Sequence, residues 1–195
     1  MDKPSTKIKE RPLIFVDLEF TGLEFQHEII QIGAVVVSQP ASTSPLVGRG
    51  GPNFQIIKEW EVKVKAQHME KADPEALKIV GYTDEKWKNA IDIRSALEKF
   101  NEIAKDGVII GWNIAMDFLF LKKTYAQLDL KPTFHWQIID VMSMAFLKLY
   151  KEPLTEFRMS EITEYFKIKN DKHHDALADA IMTFEIYLKL CQISQ

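Results

Sequence analysis

Two carboxylates stand at the end of the first apolar segment of the chain. Asp17 and Glu19 are two residues apart in the run from Leu13 to Phe20, so in a β-strand their side chains leave the same face. Burying two like charges together is costly, and one of them would take up a proton unless a cation balanced it. Because Thr21 and Gly22 then turn the chain, the pair is expected at the carboxyl end of a strand, where open α/β sheets bind ligands. The alternative is that both acids face solvent.

Two further acids follow junctions between other elements. Asp117 comes early in the helix predicted after the apolar run 108–111, with Asn113 as its expected N-cap. Asp179 belongs to the first turns of the C-terminal helix. His174, five residues earlier, is about 140° away around a helix, so it approaches the same site only from the preceding loop. Taken singly, each residue also fits an ordinary role as a helix-dipole partner or a solvated side chain.

The four acids together favour a hard divalent cation. They carry a formal charge of −4 and offer only oxygen ligands, which suit Mg²⁺ or Mn²⁺ better than zinc. Two such ions would balance that charge and attract a phosphodiester backbone. The chain itself would not, because 25 Lys and Arg against 28 Asp and Glu leave it at −3. The four are Asp17, Glu19, Asp117 and Asp179.

The hydrophobic pattern predicts a mixed sheet that brings these residues together. Strands are predicted at 13–20, 28–38, 60–64, 108–111 and 138–140, the first three as an antiparallel meander. Later strands alternate with helices, which favours helices on the sheet faces. The last helix is predicted from about Asp175, with Ile181, Phe184, Leu188 and Cys191 on its core face.

Length and composition favour one domain over residues 1–195, 46% of them hydrophobic. A flexible leader is expected at 1–11. A mobile loop is expected at 38–53, which holds three Pro, three Ser and three Gly. No apolar run reaches the ~18–20 residues of a membrane helix, and no secretory signal is evident. With a single cysteine, Cys191, these features predict a cytoplasmic protein that does not associate with membranes.

Three segments resemble, in order and spacing, the motifs of the DEDDh 3′→5′ exonucleases. They read DLEFTG at 17–22, GWNIAMD at 111–117 and HDALADA at 174–180. This superfamily includes the proofreading subunit of bacterial replicative DNA polymerase, ribonuclease T and oligoribonuclease. A sister group has tyrosine four residues before the last aspartate, where this chain has Asp175, so the histidine type fits. The resemblance implies an α/β, RNase H-like fold, with a mixed five-stranded sheet flanked by helices.

The resemblance also implies a two-metal-ion 3′→5′ exonuclease that releases nucleoside 5′-monophosphates from single-stranded DNA or RNA ends. Asp17 would bridge two Mg²⁺ or Mn²⁺ ions about 3.5–4 Å apart. Glu19 and Asp179 would complete that shell, and Asp117 would hold the second ion. His174 would take the proton of the attacking water.

Substrate contacts and partners are less specified by the motifs. Expected contacts are Phe20, Thr21, Gly22, Leu23 and Asn113. Six lysines, at 63, 65, 71, 78, 86 and 88, either line a strand path or, more ordinarily, form a solvated face. A homodimer or a polymerase-associated subunit is compatible with the sequence. The rival hypothesis is a nucleic-acid or partner-binding module that keeps the fold without turnover.

Overall fold

The fold is built on one five-stranded sheet, which the computed structural model describes within residues 7–38, 54–169 and 175–193. The strand order is β3-β2-β1-β4-β5. β1 pairs antiparallel with β2, and β2 with β3, whereas β4 is parallel to β1 and β5 is parallel to β4. This confirms the mixed sheet and its opening meander. The strands are β1 Leu13–Phe20, β2 Ile29–Ser38, β3 Gln55–Lys63, β4 Val108–Gly111 and β5 Ile138–Asp140.

Seven helices of the described residues cover the sheet. They are α1 Pro74–Val80, α2 Asp84–Trp87, α3 Ile93–Ile103, α4 Ala115–Gln127, α5 Val141–Leu149, α6 Met159–Phe166 and α7 Ala176–Gln192, with short 3₁₀ turns at Ile8–Glu10 and Met69–Lys71. No helix in this part of the chain is long and apolar enough to cross a membrane. Residues 1–6 of the expected leader, residues 39–53 of the expected loop and His174 lie outside the described residues.

Both faces of β1 are covered, as its continuous apolar run predicts. Ile14, Val16 and Leu18 belong to a core that includes residues of α3 and α4. Leu13 and Phe15 belong to a second core that includes residues of α5, α6 and α7. Asp17 and Glu19 share the parity of Leu13 and Phe15, so they continue the face that α7 covers.

Three local predictions differ from the structure. β3 begins at Gln55 rather than 60, because its first residues are mostly exposed and lack a clear alternation. Asn113 does not cap α4. It has a φ of 51°, a left-handed conformation that asparagine tolerates, and Ile114 precedes the helix without a side-chain cap. On α7, Cys191 is exposed and Leu190 is buried, since packing on the sheet rotates the core face by about one residue.

Candidate active site

Three of the four acids meet where β1 runs beneath the first turns of α7. One carboxylate oxygen from each of Asp17, Glu19 and Asp179 lies within 4.8 Å of the other two. The strand contributes its pair through the two-residue side-chain period, and the helix contributes Asp179 from above. All three side chains are partly buried. Oxygen donors this close together suit a hard divalent cation.

A glycine in β2 makes this approach possible. Gly33 is the cross-strand partner of Asp17. A Cβ built on Gly33 would lie 2.1 Å from the carbonyl carbon of Ala176 and 2.2 Å from the backbone nitrogen of Leu177. The start of α7 therefore rests directly on the backbone of β2. A glycine within a strand pattern, as Gly33 is in β2, is the sequence signal for such a close approach.

The start of α7 is anchored by its own cap. The Asp175 carboxylate accepts a hydrogen bond from the Ala178 backbone N–H at 3.1 Å. The Asp179 N–H donates to the Asp175 carbonyl at 2.9 Å, which begins the helical ladder. Ala176 and Ala180 are fully buried against the sheet and leave room for the neighbouring acids. Asp179 is thus carried on a rigid, capped helix end.

Asp117 reaches the same strand from the opposite side. Its Oδ1 accepts a hydrogen bond from the Leu18 backbone N–H at 3.0 Å, between the two acids of β1. The residue is 7% exposed, near the start of α4. The left-handed turn at Asn113 sends the chain from β4 into this helix. The structure therefore brings all four predicted acids to one end of β1, with Asp117 tied to the backbone there.

The protein environment opposes ionisation of these acids. Burial, with smaller contributions from the neighbouring carboxylates, raises the pKa of Asp17 well above its usual value. The same causes raise the pKa of Glu19 to about 8. Burial raises the pKa of Asp117 to about 7, although its hydrogen bonds from backbone N–H groups act in the other direction. A divalent cation would remove this penalty, so the donor set and its charge both fit one.

The five predicted substrate contacts divide between the surface and the interior. Leu23 is 68% exposed, and Asn113 is also exposed. The ring of Phe20 lies on the other face of β1, with its centroid 4.3 Å from that of Phe120. Thr21 is buried, and its Oγ1 accepts from the Glu28 backbone N–H at 2.9 Å. Gly22, with a φ of 150°, packs against the ring of a histidine in the same loop.

Two residues that the sequence analysis did not single out hold this loop in place. His27 is buried; its Nδ1 accepts from the Glu24 N–H at 2.9 Å, and its Nε2 lies 3.1 Å from the Lys71 carbonyl oxygen. The Nζ of Lys123 donates to the carbonyls of Phe25 at 3.0 Å and His27 at 2.5 Å. Their partners are up to 98 residues away, so no local sequence signal marks them.

This sheet order, with acids gathered at the carboxyl end of the central strand, is that of an RNase H-like domain. The chain belongs to the RNase T family, described as exonuclease, whose model matches residues 14–187. Together with its three motifs, this makes the chain a member of the DEDDh superfamily of 3′→5′ exonucleases, a family that uses divalent metal ions, and the acidic cluster agrees with that use.

Similar curated proteins are bacterial polymerases. "DNA polymerase III PolC-type" of Caldanaerobacter subterraneus subsp. tengcongensis is 29% identical over 184 residues, which cover 94% of this chain. The protein of the same name from Thermotoga maritima is 28% identical and covers 92%. In both cases the match spans 12% of the relative's length. The similarity thus concerns one segment of much longer proteins.

Solved structures share the fold. The nuclease domain of 3′hExo, described as a DEDDh family member bound to rAMP, superposes with a TM-score of 0.71 at 17% identity, covering 95% of this chain and 96% of that one. Exonuclease X in complex with 5′ overhanging duplex DNA gives a TM-score of 0.61 at 16% identity, covering 91% and 90%.

Proposed function

We propose that this chain is a 3′→5′ exonuclease that hydrolyses single-stranded DNA or RNA ends to nucleoside 5′-monophosphates with two Mg²⁺ or Mn²⁺ ions. The convergence of three carboxylate oxygens within 4.8 Å carries the proposal. Several buried acids at one site, with pKa values raised by burial, destabilise the metal-free fold. The same oxygens bind divalent cations well.

Each acid has a distinct task in this proposal. Asp17, Glu19 and Asp179 would hold the metal, and Asp117, anchored by the Leu18 N–H, would serve the second ion. When bound, divalent ions would neutralise the phosphate and stabilise the charge on the attacking and leaving oxygens. The rigid strand and the capped helix keep the ligands in position for this.

The protein's own residues would orient the substrate and move the proton. His174 directly precedes the capping residue of α7, and its imidazole would accept the proton of the attacking water near neutral pH. Leu23, exposed on the loop after β1, would contact the terminal base. Asn113 is exposed in the left-handed turn before α4, and its side-chain amide would contact phosphate or sugar.

Relatives suggest which substrate to test first. The curated matches are named as DNA polymerases, and one fold neighbour is named in complex with DNA, whereas another is bound to rAMP. The first hypothesis to test is therefore hydrolysis of DNA ends in association with a polymerase. The second is hydrolysis of RNA ends. The four acids would act on the phosphate through the metal ions, so they do not distinguish the two sugars.

The test is a matched panel of oligonucleotides, with DNA and RNA of equal sequence and graded length labelled at the 5′ end. We expect single-nucleotide ladders shortened from the 3′ end in Mg²⁺ or Mn²⁺, release of nucleoside 5′-monophosphates, and no reaction in EDTA. Binding without cleavage under every metal condition would favour the rival binding module. Products shortened from the 5′ end would contradict the proposed polarity.

A further inference from the structure

We propose that a cavity behind the loop after β1 binds the single-stranded segment upstream of the reacting 3′ end; this inference rests on the proposed function. The cavity has a volume of about 470 Å³ and lies between the loop 22–28, the segment before α1 and the second half of α4. It is separate from the acids of the site. Its lining includes Phe25, Glu28, Lys65, Lys71 and Lys123.

The cavity gathers positive charge in a chain that is acidic overall. Three ammonium groups line it, against the single carboxylate of Glu28. That carboxylate is already held by the backbone N–H groups of Gln67 and His68, each at 2.9 Å from Oε2. Among the described residues, neither Lys65 nor Lys71 forms an ion pair. A cavity lined by three ammonium groups and one carboxylate, which the backbone already holds, suits a polyanion.

An exposed aromatic ring stands beside these cations. Phe25 is 68% exposed, and the Lys123 ammonium lies 5.3 Å from its ring centroid. Lys123 also donates to the Phe25 carbonyl, so the backbone of this residue is fixed although its ring is open to solvent. A charged groove with an aromatic platform is the arrangement that binds single strands without sequence preference, by phosphate contacts and base stacking.

The position of the cavity fits the continuation of the substrate. Thr21 follows Glu19 by two residues, about 7 Å of extended chain. Thr21 exchanges two hydrogen bonds with Glu28, both at 2.9 Å, and Glu28 lines the cavity. The rim is therefore on the order of 12 Å from the acidic site. A strand whose 3′ end is at Glu19 reaches the rim within a few nucleotides, by passing over the loop that carries Leu23.

Length dependence gives the sharpest test. We measure the affinity for 5′-labelled oligothymidylates of 3 and 15 nucleotides in EDTA by fluorescence anisotropy. The kcat/KM for both lengths is measured in Mg²⁺ for comparison. For Lys65→Ala/Lys71→Ala we expect about tenfold weaker binding of the 15-mer and a salt slope reduced by about 1.4, about 0.7 for each lysine. Phe25→Ala should weaken binding of the 15-mer about fivefold or more. In each case the loss for the 15-mer should exceed that for the 3-mer at least fivefold.

Matched controls lie away from the cavity. Lys105→Ala/Lys189→Ala removes two exposed lysines, and Phe146→Ala removes a ring that is 60% exposed on α5. Both should behave like the parent. The proposal is overturned if the parent does not bind the 15-mer, if the cavity variants keep its affinity and salt slope, or if 3-mer and 15-mer lose equally. Failure of the proposed function differs from these outcomes, because the parent would then cleave neither length while anisotropy still reported on the cavity.

Discussion

At the residue scale, the acids of the site are held where their own charge is unfavourable. Burial raises the pKa of Asp17, Glu19 and Asp117, and repulsion from neighbouring carboxylates adds to the shift at Asp17 and Glu19. Hydrogen bonds from backbone N–H groups, including that of Leu18, partly compensate at Asp117. Function and stability therefore make opposite demands on these positions, which is a common feature of catalytic sites.

The clearest consequence concerns Asp17→Asn. Removing one charge from the cluster relieves repulsion in the metal-free protein, while it removes a ligand that the proposed chemistry needs. We expect no detectable hydrolysis, together with an unchanged or slightly higher Tm in EDTA. Both are read from the same preparation, by oligonucleotide cleavage and by thermal unfolding. Near-normal turnover with a normal Tm would remove Asp17 from the mechanism.

The stability of the metal-free protein should depend on pH through the same groups. Unfolded carboxyls titrate near pH 4, whereas folded Glu19 has a pKa of about 8 and Asp117 of about 7. Between these values the folded state binds more protons than the unfolded state, so the free energy of unfolding falls as pH rises. We expect Tm in EDTA to decrease from about pH 5 to about pH 8.5. Glu19→Gln should flatten that decrease, and an equal slope in this variant would refute the assignment.

Substitution of His174 distinguishes a catalytic base from a residue that only binds metal or substrate. If His174 accepts the proton of water, His174→Ala should lower the single-turnover rate about 10²–10⁴-fold while oligonucleotide affinity in metal stays nearly constant. The rise of the parent's rate with pH through the imidazole range should disappear in the variant. Equal losses of rate and affinity would instead make His174 a binding residue, and an unchanged rate would exclude it from the reaction.

At the element scale, the site depends on how closely α7 approaches β2. The backbone of Ala176 and Leu177 occupies the space where a side chain at residue 33 would begin. Asp17 and Gly33 are paired in the sheet, so the helix start is set directly beside the first acid. The loop after β1 is fixed in a similar way, by His27 beneath Gly22 and by Lys123 across its carbonyls.

Gly33→Ala should therefore damage the site more than the fold. Its methyl group meets helix backbone, which cannot rotate aside, so the start of α7 and Asp179 must shift away from β1. We expect at least a tenfold loss of hydrolysis and a smaller metal-induced rise in Tm, with folding retained by circular dichroism.

The control is the same substitution at the glycine that directly precedes β4. A methyl group at Gly107, beside the start of β1, meets the buried side chain of Ile14 and the carbonyl oxygen of Ala104, on the other core and away from the acids. Gly107→Ala should lower Tm without changing the metal-induced rise. If both variants lose activity in proportion to their Tm, the role assigned to the contact between β2 and α7 is wrong.

At the scale of the whole molecule, acids from distant segments of the chain meet at one end of the sheet. β1 contributes two acids, α4 contributes one from about a hundred residues later, and α7 contributes the last near the C-terminal end of the chain. Parallel pairing of β4 with β1 places the start of α4 at the carboxyl end of β1. An ion bound there connects all of these segments at once.

Divalent ions should accordingly stabilise the whole domain. A ligand that binds only the folded state at a hundredfold excess over Kd adds about 2.7 kcal/mol to the free energy of unfolding. For a domain of this size we expect Tm to rise about 5–10 °C in millimolar Mg²⁺ or Mn²⁺. The rise should disappear in Asp17→Asn. A shift of equal size in that variant would place the ion elsewhere.

The sequence by itself determined the features that depend on local periodicity. The bounds of β1, β4 and β5 follow from apolar runs, and the shared face of Asp17 and Glu19 follows from the two-residue period of a strand. The three motifs, read in order, were enough to identify the superfamily that the family model confirms.

Only the tertiary structure decided what depends on packing between distant segments. It set the rotation of α7, the left-handed turn at Asn113, the bond from the Leu18 N–H to Asp117 across 99 residues, and the cavity that Lys65, Lys71 and Lys123 share. Periodicity assigns a side chain to a face of its own element. Which element packs against that face depends on the tertiary structure. Here it depends on Gly33, whose missing side chain lets the backbone of α7 rest on β2.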